Sequence, residues 1–115
     1  MALKMTSSEV DGASVVALDG RIVLGAEVSA LREKLKDLIS EGKKRIVLNM
    51  NHIEYVDSSG LGTLVSAHLN AKNQGASLKL SNLGRKFQEV LQLTKLVTVF
   101  EVRDTEAAAV ASFSN

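Results

Sequence analysis

Hydrophobic and polar positions at the start of the chain predict two short strands. Leu3 to Val10 and Ser14 to Leu18 form these strands, and Asp11-Gly12 between them suits a tight hairpin turn. Asp19-Gly20 is expected to break the second strand, because both residues are typical of turns. The chain therefore opens with a predicted β-hairpin.

A one-sided helix and a buried strand follow the hairpin. From Ala26 to Ser40, apolar residues fall on one face and charged residues on the opposite face, and Gly42 suits the end of a helix. Arg45 to Met50 is a nearly unbroken apolar run with β-branched residues, which predicts a strand buried on both faces of a partly parallel sheet. The predicted apolar face of the helix comprises Val28, Leu31, Leu35, Leu38 and Ile39.

The rest of the chain continues this alternation of helices and strands. A helical stripe is predicted at Leu61, Leu64, Val65 and His68, with Leu69 widening it. The later predicted elements are an alternating strand over Ser77 to Leu80, a helix from about Gly84 to Leu93 with Phe87, Val90 and Leu91 buried, a strand over Val97 to Val102, and a helix over Thr105 to Phe113. We therefore expect an α/β fold with a mixed β-sheet, opened by a β-hairpin and covered by about four α-helices.

Composition narrows the possible classes of protein. At 115 residues the chain is expected to form a single domain over residues 1–115, with 45% hydrophobic and 3% aromatic residues giving an aliphatic core. A net charge of +1 gives no electrostatic case for nucleic-acid binding. The absence of cysteine excludes disulfides and fits a reducing compartment. No apolar run approaches the ~18 residues that span a bilayer, and the N-terminus lacks a signal peptide's hydrophobic region, so we expect a soluble cytoplasmic module without membrane contact.

The polar stretch Asp57-Ser58-Ser59-Gly60 lies between the buried strand and the next helix. Any of its first three side chains can cap that helix, and such a cap is ordinary in itself. The helix N-terminus also favours added negative charge, so a serine here can carry phosphate without melting the helix. Gly60 and Gly62 are expected to leave the first turn bare, so that another surface can approach closely.

The run from Ile46 to Val65 resembles the core signature of the STAS domain, and most closely that of the single-domain bacterial anti-sigma factor antagonists. This resemblance implies that Ser58, with Ser59 as the second choice, is phosphorylated by a partner anti-sigma factor that is also a kinase. It further implies that the unmodified chain binds this kinase and releases a sigma factor, that a phosphatase reverses the modification, and that the chain needs no cofactor. The partner-binding residues it implies are Arg21, Ile22, Val23, Asp57, Ser58, Ser59, Gly60, Leu61, Gly62 and Thr63.

One position departs from the pattern of that family. Many of its members carry G-x-L-D after the second strand, whereas this chain has Gly20-Arg21-Ile22-Val23, with valine in place of the aspartate. The missing carboxylate is expected to weaken phosphorylation or to change which partner is recognised. The alternative function is therefore a non-switching STAS scaffold subunit of a signalling or transport-associated complex.

A serine hydrolase is the enzymatic alternative, with Ser58 or Ser59 as nucleophile and His52 or His68 as base. However, D-S-S-G is not the G-x-S-x-G elbow, and His68 lies some 15 Å along the helix from the serines at about 1.5 Å per residue. We expect His68 at the edge of the core and His52 in a loop, so the chain is predicted not to be an enzyme. The two histidines also lack the spacing of a metal site.

Overall fold

The computed structural model describes residues 3–114 and contains five strands and four α-helices. The strands are β1 (Lys4–Val10), β2 (Ala13–Ile22), β3 (Arg45–Val56), β4 (Ser77–Ser81) and β5 (Glu101–Arg103). The helices are α1 (Ala26–Ser40), α2 (Ser58–Asn73), α3 (Arg85–Leu93) and α4 (Glu106–Ala111), with short 3-10 turns at Leu96–Thr98 and Ser112–Ser114. This element order confirms the predicted mixed α/β fold.

The five strands form one sheet in the order β1-β2-β3-β4-β5. β1 runs antiparallel to β2 across the predicted Asp11-Gly12 turn, and the later neighbouring strands are parallel. β3 is therefore the central strand, and the helix that follows it begins at the carboxyl edge of the parallel strands.

Two apolar clusters cover the two faces of this sheet. Ile46 and Leu48 of β3 lie in the larger cluster with buried residues of α1, α2 and α3, whereas Val47 lies in the smaller cluster with Ala109 and Val110 of α4. Side chains alternate between the faces of a strand, so burial on both faces requires a continuous apolar run. The prediction of a doubly buried strand at Arg45 to Met50 is confirmed.

The predicted end of α1 at Gly42 is confirmed. Gly42 follows α1 with a φ of 86°. Its amide donates to the carbonyl of Ile39 at 3.0 Å, and the amide of Lys43 donates to the carbonyl of Leu38 at 3.1 Å. This pattern is the Schellman motif, which glycine adopts without strain. At the start of α4, Thr105 Oγ1 accepts a hydrogen bond from the amide of Ala108 at 3.0 Å.

The predicted break at Asp19-Gly20 is wrong. β2 continues to Ile22, with register irregularities between Ala17 and Asp19 and between Gly20 and Arg21. The reason is tertiary: β3 is also longer than predicted and pairs with β2 as far as Val56, and this pairing overrides the local turn signal.

Three other details of the predicted elements need correction. The last strand is not Val97 to Val102, because a 3-10 turn occupies Leu96–Thr98 and β5 pairs with β4 only from Glu101. In α3, Leu91 is buried and Phe87 half-buried as predicted, but Val90 is 38% exposed. Leu69 does not widen the buried stripe of α2, since it is 50% exposed.

The alternating strand predicted at Ser77 to Leu80 is present as β4, but its polar face is covered. Lys79 is buried, with Nζ 2.6 Å from Ser112 Oγ, 3.4 Å from Glu101 and 4.4 Å from the centroid of the Phe113 ring. These contacts attach the chain after α4 to the sheet. Among the helices of residues 3–114, none is long and apolar enough to cross a membrane.

Candidate functional site

Asp57 is the residue that caps α2, out of the three that the sequence left open. Its Oδ1 accepts a hydrogen bond from the amide of Gly60 at 2.7 Å, and its Oδ2 accepts one from the amide of Leu24 at 2.9 Å. Leu24 lies between β2 and α1, so one carboxylate joins the start of α2 to the connection before α1. The aspartate therefore positions both chain segments of the candidate site.

The same contacts keep Asp57 ionised. The amides of Leu24 and Gly60 are the main causes that lower the pKa of this carboxyl below its usual range, and the Ser59 amide and the Arg21 guanidinium act in the same direction. Partial removal from water opposes them by favouring the neutral form. The candidate site thus holds a carboxylate at neutral pH.

Gly60 allows α2 to approach the end of β2. A Cβ on Gly60 would overlap the backbone oxygen of Ile22, whereas a Cβ on Gly62 would meet no atom within 4 Å. Gly60 is buried and Gly62 is exposed. The surface that approaches closely at Gly60 is therefore the chain's own β2, and only Gly62 leaves the first turn open to the outside.

The two serines differ in exposure. Ser58, the first residue of α2, is exposed, whereas Ser59 is half-buried. The Ser59 carbonyl accepts a hydrogen bond from Thr63 Oγ1 at 2.9 Å, which holds Thr63 back against the helix. Of the two hydroxyls, that of Ser58 is the more accessible from outside.

The end of β2 lies beside this helix start. The amide of Asp57 donates to the carbonyl of Ile22 at 3.2 Å, and Arg21 pairs with Tyr55 in the β2–β3 ladder. The Arg21 guanidinium lies 5.5 Å from the centroid of the Tyr55 ring, within the range of a cation–π interaction. Val23 is half-buried, and its carbonyl accepts from the amide of Val28 at 3.2 Å.

The fold therefore brings the residues of the predicted partner surface to one edge of the sheet. Only some of them offer a side chain there, since Ile22, Gly60 and Thr63 are buried. Sequence reasoning missed Leu24, which is 74% exposed, and Tyr55, which is 53% exposed. The Leu24 amide is bonded to Asp57 and the Tyr55 ring lies against Arg21, so both residues belong to the same edge of the sheet.

The hydrolase alternative required His52 or His68 as a base beside Ser58 or Ser59. His52 lies in β3, so its prediction as a loop residue is wrong, and His68 is buried as expected, with its ring 5.8 Å from that of Phe100. Across residues 3–114, no hydrogen bond joins either histidine to Ser58 or Ser59. In the same part of the chain, no group of three or more histidine, cysteine or acidic residues has the arrangement of a metal site.

The model of the STAS domain family matches residues 4–109. The chain belongs to the STAS domain family. A candidate anti-sigma factor antagonist, BtrV of Bordetella bronchiseptica, is 26% identical over 111 residues, which are 96% of this chain and 95% of that protein. The anti-sigma-B factor antagonist of Bacillus subtilis is 35% identical over 72 residues, or 63% of this chain and 65% of that protein.

Solved structures show the same STAS fold. An anti-sigma factor antagonist from Mycobacterium paratuberculosis superposes with a TM-score of 0.87 at 19% identity, over 98% of this chain and 95% of that one. The Bacillus anti-sigma factor antagonist SpoIIAA, in its unphosphorylated form, has a TM-score of 0.75 at 21% identity, over 97% of this chain and 99% of that one. SpoIIAA in its phosphorylated form also matches, with a TM-score of 0.73.

Proposed function

We propose that this protein is an anti-sigma factor antagonist whose binding is switched by phosphorylation of Ser58. The unphosphorylated chain binds a kinase-type anti-sigma factor and thereby releases a sigma factor. The observation that carries this proposal is the exposed Ser58 hydroxyl at the first position of α2, directly after the ionised cap Asp57. The names of the curated relatives over most of the chain support the same function.

The surroundings of Ser58 suit a phosphoserine that leaves the fold intact. A phosphate adds about −1.5 to −2 charges at neutral pH, and the N-terminus of a helix stabilises negative charge. Both oxygens of Asp57 are already engaged by backbone amides, so its charge is partly offset before the phosphate arrives. Arg21 adds a cation to the same edge. We therefore expect phosphorylation to change what docks here without unfolding α2.

The exposed apolar side chains beside Ser58 explain how the charge acts on a partner. Leu24 and Tyr55 are mostly exposed, and Leu61 is half-buried in the first turn of α2. A partner that covers this surface removes it from water, and a dianion placed in such a contact costs about 3–4 kcal/mol, equivalent to a few hundredfold in affinity. Phosphorylation of Ser58 thus releases the partner by desolvation and repulsion.

The chemistry of the switch belongs to other proteins. In this proposal the kinase partner supplies ATP and its metal, and a separate phosphatase removes the phosphate from Ser58. The chain acts as substrate and binding protein, with no cofactor and no catalytic residue of its own.

Val23 favours the rival function, a non-switching scaffold within a larger complex. It lies on the proposed partner surface where the family pattern has aspartate. A kinase that recognises its substrate through this carboxylate would therefore lack that contact here. The STAS-fold neighbours also include a sulfate transporter family protein from Wolinella succinogenes, with a TM-score of 0.73 at 20% identity. Phosphorylation distinguishes the two functions directly.

The first experiment is intact-mass and site-mapping spectrometry after incubation with ATP and a candidate kinase-type anti-sigma factor from the same organism. We expect one added phosphate on the wild type and on Ser59→Ala, but none on Ser58→Ala. The Ser59→Ala variant is the matched control, because it removes the neighbouring, less exposed hydroxyl. Phosphate on Ser58→Ala would place the site elsewhere. If a kinase that is active on another substrate adds no phosphate to any of the three proteins, the non-switching scaffold function is favoured.

The second experiment measures affinity for the same kinase. Ser58→Asp is expected to fold as the wild type does and to bind more weakly, because the new carboxylate carries part of the charge of phosphate. Ser58→Ala is expected to bind like the wild type and to resist release by ATP. Wild-type affinity of Ser58→Asp, with circular dichroism showing an intact fold, would contradict a switch based on charge.

A further inference from the structure

The central strand β3 extends beyond its neighbour β4. Pairing between the two ends at Asn49 and Ser81, whereas pairing of β3 with β2 continues to Val56. Within residues 3–114, the seven residues from Met50 to Val56 therefore have a neighbouring strand on one edge only. The Asn51 amide finds a local substitute, Asn49 Oδ1, at 2.9 Å. An open strand edge presents backbone N–H and C=O groups with which another chain can pair.

A cavity of about 520 Å³ runs along this open edge. One wall consists of the consecutive residues Ile53 to Val56, and the other is formed by the first two turns of α3 with Phe87 and Val90. Consecutive strand residues point to opposite faces, so a cavity that they all line follows the edge of the strand and not one face. We call this cavity the edge groove. Its volume lies in the usual range of binding sites.

The lining of the edge groove is apolar, with a cationic end. Ile53, Val56 and Phe87 are half-buried, and Tyr55 and Val90 are more exposed.

Arg85 and Lys86 lie in the first turn of α3, and Glu54 is the charged residue on the facing wall. Neither cation forms an ion pair within residues 3–114. Gly84 provides no side-chain cap, so the first amides of α3 add partial positive charge. The groove therefore complements an apolar segment that carries an acidic group.

The edge groove is continuous with the surface around Ser58. Tyr55 lines the groove, and its ring also contacts the guanidinium of Arg21 at the end of β2. Val56, the last residue of the groove's strand wall, immediately precedes Asp57 and Ser58. A partner docked over Ser58 can thus extend into the groove without leaving the surface.

We propose that the edge groove receives an extended segment of the same anti-sigma partner, which pairs with β3 beyond the end of β4. Its apolar side chains pack against Phe87 and Val90, and an acidic residue faces Arg85 and Lys86. Addition of a strand to an open sheet edge gives affinity through backbone hydrogen bonds and specificity through side-chain pockets. Seven residues at about 3.3 Å each provide some 23 Å of edge, enough for a short strand. This inference rests on the proposed function, because it names a second contact of the same partner.

The test compares the affinity of the kinase-type anti-sigma factor for full-length variants. Val90→Glu places a carboxylate in the groove, and Leu93→Glu is its control, because Leu93 is exposed on the same helix but does not line the groove. We expect Val90→Glu to weaken binding about tenfold or more, and Leu93→Glu to leave it unchanged. Arg85→Glu with Lys86→Glu is expected to weaken binding similarly, whereas Arg32→Glu with Lys36→Glu on α1, an equal change of charge, is not.

Hydrogen exchange gives a second readout of strand addition. Amides between Met50 and Val56 should become protected in the complex, because they acquire backbone partners. If Val90→Glu binds with wild-type affinity, or if hydrogen exchange over these residues is unchanged, the proposed contact in the edge groove is wrong. The Ser58 switch would not be affected by either result. Equal losses from Val90→Glu and Leu93→Glu would also overturn the contact in the edge groove, by indicating contact with the helix surface in general. No binding of the wild type would overturn both proposals.

Discussion

The two halves of β3 differ in what surrounds them, although they form one continuous strand. Arg45 to Asn49 lies between β2 and β4, and Ile46, Val47 and Leu48 are completely buried. Asn51 to Val56 pairs with β2 alone, and its side chains are exposed or half-buried. Loss of one neighbouring strand thus turns a core element into a surface element that leads directly to Asp57 and Ser58.

This comparison shows how one strand serves stability and recognition at once. The first half anchors the sheet through apolar contacts on both faces, and the second half carries the candidate site outward from that anchor. A binding surface on a rigid strand is held in place more exactly than one on a loop, so a partner need not order it on docking. The predictions below test this division of roles.

The largest difference is expected between substitutions in the two halves. Leu48→Ala leaves a cavity in the core and should lower the free energy of unfolding by about 2–5 kcal/mol. Tyr55→Ala removes a half-exposed ring and should change the free energy of unfolding by less than about 1 kcal/mol. The same substitution should weaken binding to the kinase partner. Urea unfolding and binding titrations measure the two effects. A loss of stability from Tyr55→Ala as large as that from Leu48→Ala would end the distinction between the halves.

A smaller effect is expected from the two glycines at the start of α2. Gly60→Ala should destabilise the protein by about 1–3 kcal/mol, because its Cβ meets the backbone of Ile22 and must push α2 away from β2. Gly62→Ala should stabilise it by about 0.5–1 kcal/mol, because the site is open and alanine favours helix.

Hydrogen exchange would localise the effect of Gly60→Ala. We expect faster exchange in the second half of β3 and little change in the first half, since the displaced contact lies at the end of β2. Destabilisation by Gly62→Ala of the same size would show that the close approach to Ile22 is not the cause.

The smallest effect concerns the pH dependence of stability. The folded-state pKa of Asp57 lies below its unfolded value, chiefly because the Leu24 and Gly60 amides stabilise the carboxylate. The contribution of the Asp57 carboxylate to stability is therefore present above the unfolded pKa of about 4, and it is lost as pH falls through the folded pKa. Asp57→Asn should lower the melting temperature at pH 7, with a difference from wild type that shrinks towards pH 3. A difference that is constant with pH would mean that the negative charge is not what stabilises the site.

Local pattern was sufficient to predict much of this protein. The doubly buried run at Arg45 to Met50, the amphipathic helix from Ala26 to Ser40 and the glycine at the end of that helix were all predicted correctly. The order of elements and the polar stretch before α2 also followed from the residues. These features depend on interactions between residues that are close in sequence, such as helical periodicity and capping.

Pairing between distant segments decided the rest. The extension of β2 past Asp19-Gly20, the exposure of Leu24 and Tyr55, and the bond from the Leu24 amide to Asp57 depend on contacts across the fold. The edge groove exists only because β4 ends before β3 does. The hydropathy of a residue does not determine which other strands will pack beside it. The boundary between core and recognition surface within β3 is therefore set by the arrangement of all the strands.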